Sequence, residues 1–272
     1  MLAGCDRPVL TDREPHPSPV IAIGAKHNPA ECGTITGRVL WTGPMSEAAS
    51  INGVISQPGG KTISKSFPNP NAVHADPQSH AVPGAVVCLE GVEDERSRPW
   101  DHAPIRVEID ERRIGIVQGD GEAKSIGFVR VGDEIEMISR DPALHVLSAR
   151  GAAFFALAFP DRDNPVRRRL NRPGLVELSS GSAKYWHRAY LFVSDHPYFA
   201  LTDRDGRFEL TGVPAGDYRL VAWHPNPDVE AVDRDPNTGM VLRYHFAPAF
   251  GHRQTVHLAA GSTAQFDCLI SK

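Results

Sequence analysis

Short stretches of alternating apolar and polar residues recur along most of the chain. Residues 33–41 alternate in this way and end at a Gly-Pro pair, and a compact apolar run follows at residues 85–89. A period of two residues is typical of β-strands that bury one face. Further strand-like segments lie at residues 105–109, 114–117, 125–129, 134–138, 175–178, 189–193, 199–202, 207–210, 218–223, 254–258 and 264–270. The pattern predicts an all-β protein.

Helical periodicity is weak by comparison. The Ala-rich run at residues 151–159 is the one segment compatible with a buried helical turn. The chain has 24 Gly and 23 Pro spread along its length. Because proline is excluded from helix interiors, this scatter favours many short strands. Residues 45–80 are rich in Ser, Asn, Pro and Gly, which predicts a long insertion or an ordered coil over the surface.

Composition and charge exclude several classes of protein. The 272 residues are 41% hydrophobic, which is enough apolar surface to offset the entropy of ordering, so a disordered chain is excluded. The formal net charge of −4 argues against nucleic acid as the main partner. The best apolar run, at residues 151–160, is shorter than the roughly 18 residues that a bilayer span requires.

The four cysteines are dispersed along the chain, at Cys5, Cys32, Cys88 and Cys268. The absence of a CxxC pair disfavours a zinc site or a thioredoxin-like motif. Dispersed cysteines fit either disulfide bonds or buried thiols, and the sequence leaves both open.

Residues 2–5, Leu-Ala-Gly-Cys, resemble a bacterial lipobox, in which the cysteine is lipidated and becomes the mature N-terminus. The usual cationic and apolar leader does not precede them, so the match is either accidental or part of a truncated signal peptide. Residues 6–30 carry five prolines and little apolar periodicity, as an extended tether does. We expect export to the periplasm and a membrane anchor at Cys5, with a floppy terminus as the alternative.

Two blocks of sequence carry a resemblance to a known β-sandwich module. Residues 202–208, Thr-Asp-Arg-Asp-Gly-Arg-Phe, and residues 212–218, Gly-Val-Pro-Ala-Gly-Asp-Tyr, resemble the carboxypeptidase-regulatory or transthyretin-like module. Asp-Gly closes one hairpin, and Pro-Ala-Gly presets the next turn. The resemblance implies a fold and says almost nothing about function.

A second resemblance covers the segment before that module. Residues 131–146 resemble the first copper-ligand region of exported plastocyanin-like (cupredoxin) proteins, in which a strand ends in a turn and a histidine, here His145, reaches the metal. Together the resemblances imply two β-sandwich domains. We expect a tether at residues 1–30, a cupredoxin-like sandwich at residues 31–188 with an insertion at about 45–80, and a transthyretin-like sandwich at residues 189–272.

The second ligand loop departs from the resembling proteins. Against their Cys-x-x-His-x-Trp-Met pattern, Gly181 falls at the cysteine, Lys184 at the histidine and His187 at the methionine. A type 1 copper centre needs a thiolate and two imidazoles. We therefore expect no copper and no other cofactor. The alternative is a rescued site in which His145 and His187 hold Cu(II) or Zn(II) weakly.

Five arginines crowd into one short polar segment. They belong either to a solvated loop or to a basic patch that contacts anionic lipid headgroups or an acidic protein surface. Guanidinium suits the second role because it makes bidentate hydrogen bonds to phosphate and carboxylate. A patch and a lipid anchor would add as two membrane signals. The five are Arg162, Arg167, Arg168, Arg169 and Arg172.

These features predict a non-enzymatic, periplasmic, membrane-anchored structural or interaction subunit. Its expected partners are the membrane surface and a membrane protein complex, such as a photosynthetic reaction centre or a respiratory electron-transfer assembly, and not nucleic acid. The first alternative is a copper-binding electron carrier or copper chaperone that uses His145 and His187. The second is a carbohydrate- or peptide-binding accessory module, which predicts an exposed aromatic cluster.

Overall fold

The computed structural model describes residues 26–45, 47–56, 61–182, 184–239 and 241–272. Most of the predicted tether, including Cys5, lies outside the described residues. Within them the helical elements are two 3₁₀ turns, Pro29–Glu31 and Asp94–Arg96. None of the helices in this part of the chain has the length and apolar character needed to cross a bilayer. The prediction of an all-β fold is confirmed.

The described residues form 21 strands. In chain order they are β1 (Cys32–Trp41), β2 (Ile51–Ser56), β3 (Thr62–Phe67), β4 (Val86–Glu90), β5 (Ile105–Ile109), β6 (Ile114–Gln118), β7 (Ile126–Arg130), β8 (Glu134–Ser139), β9 (His145–Gly151), β10 (Phe155–Phe159), β11 (Val166–Arg169), β12 (Gly174–Ser180), β13 (Arg188–Ser194), β14 (Phe199–Leu201), β15 (Arg207–Pro214), β16 (Gly216–His224), β17 (Val229–Arg234), β18 (Val241–Phe246), β19 (Phe250–Leu258), β20 (Thr263–Gln265) and β21 (Cys268–Ile270).

Eight strands from the two ends of the chain form one sandwich, which we call the scaffold sandwich. In one sheet β15 runs antiparallel to β1, while β20 and β21 run parallel to it; the other sheet has the order β14-β4-β16-β19. Every second residue of β1 is buried, as the alternation predicts, so Ile35, Val39 and Trp41 enter a common core with Leu220 and Leu258. Burial of this apolar surface stabilises the sandwich at about 25 cal/mol per Å².

The turn between β14 and β15 follows its sequence signal. Asp203 accepts backbone N–H groups of Asp205 and Arg207 at its Oδ1, and Gly206 closes the turn with a positive φ of 70°. A Cβ at Gly206 would lie 2.7 Å from the carbonyl oxygen of Val39, so the close approach to β1 requires glycine there. The predicted Asp-Gly turn is therefore present, but it does not close a hairpin: it connects β14 of one sheet to β15 of the other, and β15 pairs with β1.

Strands β5 to β13 form a second sandwich, which we call the inserted sandwich. A five-stranded sheet of order β10-β9-β12-β13-β7 faces a four-stranded sheet of order β11-β8-β5-β6. Its core contains Val107, Met137, Leu147, Leu178 and Leu191, each fully or almost fully buried. All nine strands lie between β4 and β14, which pair with each other in the scaffold sandwich. The second sandwich is therefore inserted into a connection of the first.

The predicted division of the chain at residue 188 differs from this arrangement. β1 and β4 fall within the predicted first domain, yet they pair with β15 and β16 of the C-terminal part, with Cys32 opposite Pro214. β13 falls in the predicted second domain, yet it pairs with β12 and β7 of the inserted sandwich. The reason is physical: a period of two identifies a strand and its buried face but carries no information about its partner.

Two local predictions also need correction. The polar segment 45–80 contains an antiparallel hairpin of β2 and β3, which we call the capping hairpin, in addition to coil. The Ala-rich run does not form a helical turn, because residues 155–159 form the edge strand β10 beside β9. Exposure alternates from residue to residue along β10, as it does in an edge strand that buries one face, and this explains the spacing of its large apolar side chains.

The sandwiches meet through an apolar cluster. Val86 of β4, Phe128 of β7 and Tyr190 of β13 are buried together, and the rings of Phe192 and Trp223 meet edge to face with centroids 5.1 Å apart. Aromatic pairs of this geometry contribute beyond their buried area. The outer face of β7 and β13 is thereby covered by the scaffold sandwich.

The described cysteines are free thiols of the scaffold sandwich. They are Cys32 at the start of β1, Cys88 in β4 and Cys268 in β21. Burial raises the pKa of Cys88 to about 12 and that of Cys268 to about 11. Of the two alternatives left open by the sequence, buried thiols describe Cys88 and Cys268.

Candidate metal site in the inserted sandwich

His145 is fixed at the start of β9 by a turn that supplies its hydrogen-bond partner. The alternation of β9 directs residue 145 into the core, where the ring is 1% exposed. Asp141 Oδ1 lies 2.7 Å from His145 Nε2 and also accepts the N–H of Ala143 over 3.0 Å. Asp141 Oδ2 accepts the N–H of Glu111 over 2.7 Å, which ties this turn to the β5–β6 turn.

These contacts define the tautomer of His145. Burial acts to raise the pKa of Asp141, but hydrogen bonds from His145, Ala143 and Glu111 together hold it below the usual value. The carboxylate is ionised at neutral pH and accepts the proton on His145 Nε2. The lone pair of Nδ1 therefore remains free to accept a donor or to bind a cation, the arrangement usual for a metal-ligating histidine.

Lys184 meets that lone pair. Its Nζ is 3.1 Å from His145 Nδ1 and 3.0 Å from Glu111 Oε1. The Lys184 side chain is 11% exposed, so the ammonium is held in a largely desolvated position. It donates to both groups and thus occupies the position along the Nδ1 lone pair in which an imidazole-bound cation would lie.

His187, the other candidate ligand, lies beside His145. The two rings are nearly parallel, with centroids 6.3 Å apart and an interplanar angle of 23°. His187 Nε2 donates a long hydrogen bond of 3.5 Å to the carbonyl oxygen of Glu111. Burial lowers the pKa of His187 to about 4, and the Lys184 ammonium adds to the effect. His187 is therefore neutral at pH 7.

Gly181, which falls where the resembling proteins carry cysteine, is packed closely enough that a larger side chain there would require its neighbours to shift. Its N–H donates to the carbonyl oxygen of Val146 over 2.7 Å, and a Cβ built on it would lie 2.7 Å from Val146 Cγ1. The described cysteines belong to the scaffold sandwich. Because Lys184 occupies Nδ1 of His145, the described residues do not fit a type 1 copper centre.

Three potential metal ligands lie close together, as a site for zinc or for a hard cation would require. Ligand atoms of Glu111, Asp141 and His145 lie within 4.8 Å of one another. Lys184 already satisfies Glu111 and His145, so a metal would have to displace its ammonium. Glu111 was not predicted as a ligand, because it lies in the distant turn between β5 and β6 and belongs to no recognisable motif. Asp141 lies within residues 131–146, the segment that resembles a copper-ligand region, and its spacing of four residues from His145 is the sequence feature that points to it.

The capping hairpin covers one side of this region. Phe67 of β3 stacks on Trp186 with centroids 3.6 Å apart and an interplanar angle of 7°. Gly53 of β2 lies against the same ring, since a Cβ there would be 2.0 Å from Trp186 Cζ3. Trp186 in turn meets His187 edge to face. The segment 45–80 therefore contacts Trp186, the residue that precedes the candidate ligand His187.

The predicted arginine patch lies along β11 and its flanking loops. Arg167 is 2.9 Å from Glu136 of the neighbouring strand β8, and Arg162 is 3.0 Å from Asp163. Arg169 donates to the carbonyl oxygen of Gly132, and Arg168 and Arg172 are exposed. Carboxylates thus offset part of the positive charge, and exposed pairs of this kind contribute little stability.

Comparison with known proteins adds a distant structural likeness. No protein-family model and no curated protein matches the sequence. Among solved structures, a proline-to-glycine variant of oxidized amicyanin is similar at 18% identity, over 33% of this chain and 81% of that one, with a TM-score of 0.26. A tryptophan-to-tyrosine variant of reduced amicyanin is similar at 16% identity, over 39% of this chain and 97% of that one, also with a TM-score of 0.26.

Proposed function

We propose that the chain is a non-catalytic structural or interaction subunit that works without a bound metal. In this proposal it resides in the periplasm, is anchored to a membrane and braces an electron-transfer complex there. The observation that carries the proposal is the contact of 3.1 Å between Lys184 Nζ and His145 Nδ1. The chain supplies its own cation where a metal would bind, and the ion pair with Glu111 holds that cation in place.

Two further features support a role in interaction. The capping hairpin projects from the scaffold sandwich onto Trp186, so the end of the inserted sandwich has a composite surface. The exposed guanidinium groups of Arg168 and Arg172 suit contacts with phosphate headgroups or carboxylates. The resemblance of residues 2–5 to a lipobox supports an anchor at Cys5.

Affinity purification of the tagged full chain from solubilised membranes tests the proposal directly. The expected result is a stable membrane complex that co-purifies with the chain, together with far less than one copper per chain by elemental analysis. A chain that purifies alone with one copper, lost on His145→Ala, contradicts the proposal.

A vesicle assay tests the membrane contribution of the patch separately. The double variant Arg168→Glu and Arg172→Glu should sediment less with vesicles that contain anionic lipid, and added salt should weaken the wild-type binding. The matched control reverses two charges on the scaffold sandwich, Arg219→Glu and Arg253→Glu, which should bind as the wild type does. Equal loss in both double variants would show a nonspecific charge effect.

The alternative function is a metal carrier or copper chaperone that uses His145 and His187. The specific observation in its favour is that the two rings lie side by side, with centroids 6.3 Å apart, and that burial holds His187 neutral at pH 7 with a pKa of about 4. Neutral imidazole is the form that binds copper or zinc. Tight copper binding by the wild-type chain, abolished by His187→Ala as well as His145→Ala, would favour this alternative.

A further inference from the structure

A cavity of about 270 Å³ lies where β17 and β18 meet both sandwiches. The two strands form an antiparallel hairpin, which we call the hairpin arm. Leu175 of β12, Trp223 of β16 and Phe246 of β18 supply apolar walls. Ligand sites favour this kind of place, a cleft between structural units with apolar walls and a few convergent polar groups.

Arg188 of β13 is buried in the wall of this cavity with one donor unused. Its side chain is 5% exposed, Nη1 pairs with the Glu177 carboxylate, and Nη2 donates to the carbonyl oxygen of Tyr244 over 2.8 Å. The guanidinium also lies 4.9 Å from the ring centroid of Phe246. Its Nε–H has no acceptor among the described residues. A buried charged donor without an acceptor is costly, so it points to an absent partner.

Arg243 of the hairpin arm lines the same cavity and repeats the pattern. Its Nη2 is 3.7 Å from the Glu177 oxygen that Arg188 uses, and its buried Nε–H also has no acceptor among the described residues. Burial lowers the pKa of Arg243; the Arg150 and Arg188 cations lower it further, while Glu177 opposes them. The guanidinium groups of Arg188 and Arg243 thus share one carboxylate, that of the half-buried Glu177. Glu230, the other acidic lining residue, is exposed to solvent.

We propose that this cavity binds a small organic carboxylate with a flat aromatic body. The carboxylate accepts the free Nε–H groups of Arg188 and Arg243, and the ring packs against Trp223 and Phe246. Guanidinium groups pair well with carboxylates, and the Oε1 atom of Glu177 already forms ion pairs with both of these side chains. The negative charge of Glu177 disfavours a dianion such as phosphate.

Titration of the full chain with benzoate tests the proposal, with benzamide as the uncharged match and inorganic phosphate at equal ionic strength. The expected result is saturable binding of one benzoate per chain, with quenching of tryptophan fluorescence and a raised midpoint of thermal unfolding. Arg243→Gln should weaken benzoate at least about tenfold. The control Arg204→Gln removes an exposed arginine from the turn between β14 and β15 and should leave benzoate binding unchanged.

Several outcomes overturn the proposal. These are benzoate binding no tighter than benzamide or phosphate, and benzoate affinity unchanged in Arg243→Gln. If Arg243→Gln does not fold, Arg243→Lys decides, because it keeps the charge and loses the fork. An affinity in Arg243→Lys equal to that of the wild type would then exclude the assigned Nε–H contact. The thermal midpoint without ligand reports whether each variant folds.

Discussion

Lys184 and His145 are joined by a hydrogen bond from an ammonium to a ring nitrogen, with Nζ 3.1 Å from Nδ1. Asp141 fixes the direction of this bond, because it takes the proton on Nε2 and leaves Nδ1 as an acceptor. Glu111 completes the arrangement by pairing with the ammonium at 3.0 Å. Two carboxylates, one imidazole and one ammonium group therefore satisfy one another, and the lysine supplies the positive charge that a metal ion would supply.

Removal of this lysine should create a metal site. In Lys184→Ala, His145 Nδ1 and Glu111 lose their cation while Asp141 still orients the ring, so Zn(II) should bind at least about tenfold more tightly than to the wild type. Isothermal titration with Zn(II) at pH 7 measures the difference. Lys124→Ala, which removes an exposed lysine, should not change the affinity. Equal Zn(II) affinities for Lys184→Ala and the wild type would contradict the prediction.

Stability should fall in mild acid because of a buried neutral histidine outside this site. Burial lowers the pKa of His224 to about 4, although its hydrogen bond to the carbonyl oxygen of Pro225 opposes the shift. Between pH 6.5 and about 4 the unfolded state binds a proton that the folded state does not. The stabilisation is therefore complete above pH 6.5 and decreases as the pH falls, by on the order of 3 kcal/mol in total.

Denaturant unfolding at a series of pH values measures this effect. His224→Gln should reduce the slope of the free energy of unfolding against pH within that window, by the amount that corresponds to the uptake of about one proton on unfolding. Thr255 is an exposed residue of β19 without a titratable group, so Thr255→Ala is the control and should leave the slope between pH 6.5 and 4 as in the wild type. A slope that is the same in His224→Gln and the wild type would refute the assignment.

The capping hairpin should depend on a glycine. A Cβ at Gly53 would lie 2.0 Å from Cζ3 of Trp186, so Gly53→Ala must displace either the hairpin or the ring. We expect a loss of about 1–3 kcal/mol in the free energy of unfolding, as for other overpacked sites. Gly121→Ala, at a glycine with open surroundings, should cost much less. Equal stability of Gly53→Ala and the wild type would show that the hairpin does not pack on Trp186.

Local sequence patterns located many of the strands but missed others, such as β2, β10 and β17, and they did not identify the partners of any strand. Alternation located β1 and the Asp203–Gly206 turn, because burial of one face and a positive φ leave direct traces in residue type. The pairing of Cys32 with Pro214 has no local sequence pattern, so the boundaries of the two sandwiches could not be predicted from the sequence. Glu111 was missed for the same reason, since it reaches Lys184 from a distant turn.

The connections between the two sandwiches share one hydroxyl group, on Tyr198. The backbone N–H of Arg98, in the segment that leads from β4 to β5, donates to Tyr198 Oη over 2.9 Å. The Tyr198 hydroxyl donates to the carbonyl oxygen of Gly212 in β15 over 2.7 Å. Tyr198 itself lies in the returning segment between β13 and β14 and is fully buried. One side chain thus joins the outgoing and returning connections of the insertion to the scaffold sandwich.

Tyr198→Phe should therefore destabilise the protein beyond the loss of one ordinary hydrogen bond. The substitution keeps the ring in the core but leaves one backbone donor and one backbone acceptor without a partner, which costs about 1–3 kcal/mol. Denaturant unfolding, followed by tryptophan fluorescence and by far-UV circular dichroism, measures the change. Since the hydroxyl ties both connections to one sheet, we expect both signals to shift together. A stability within about 0.5 kcal/mol of the wild type would contradict this role, because exposed substitutions change stability by no more than that.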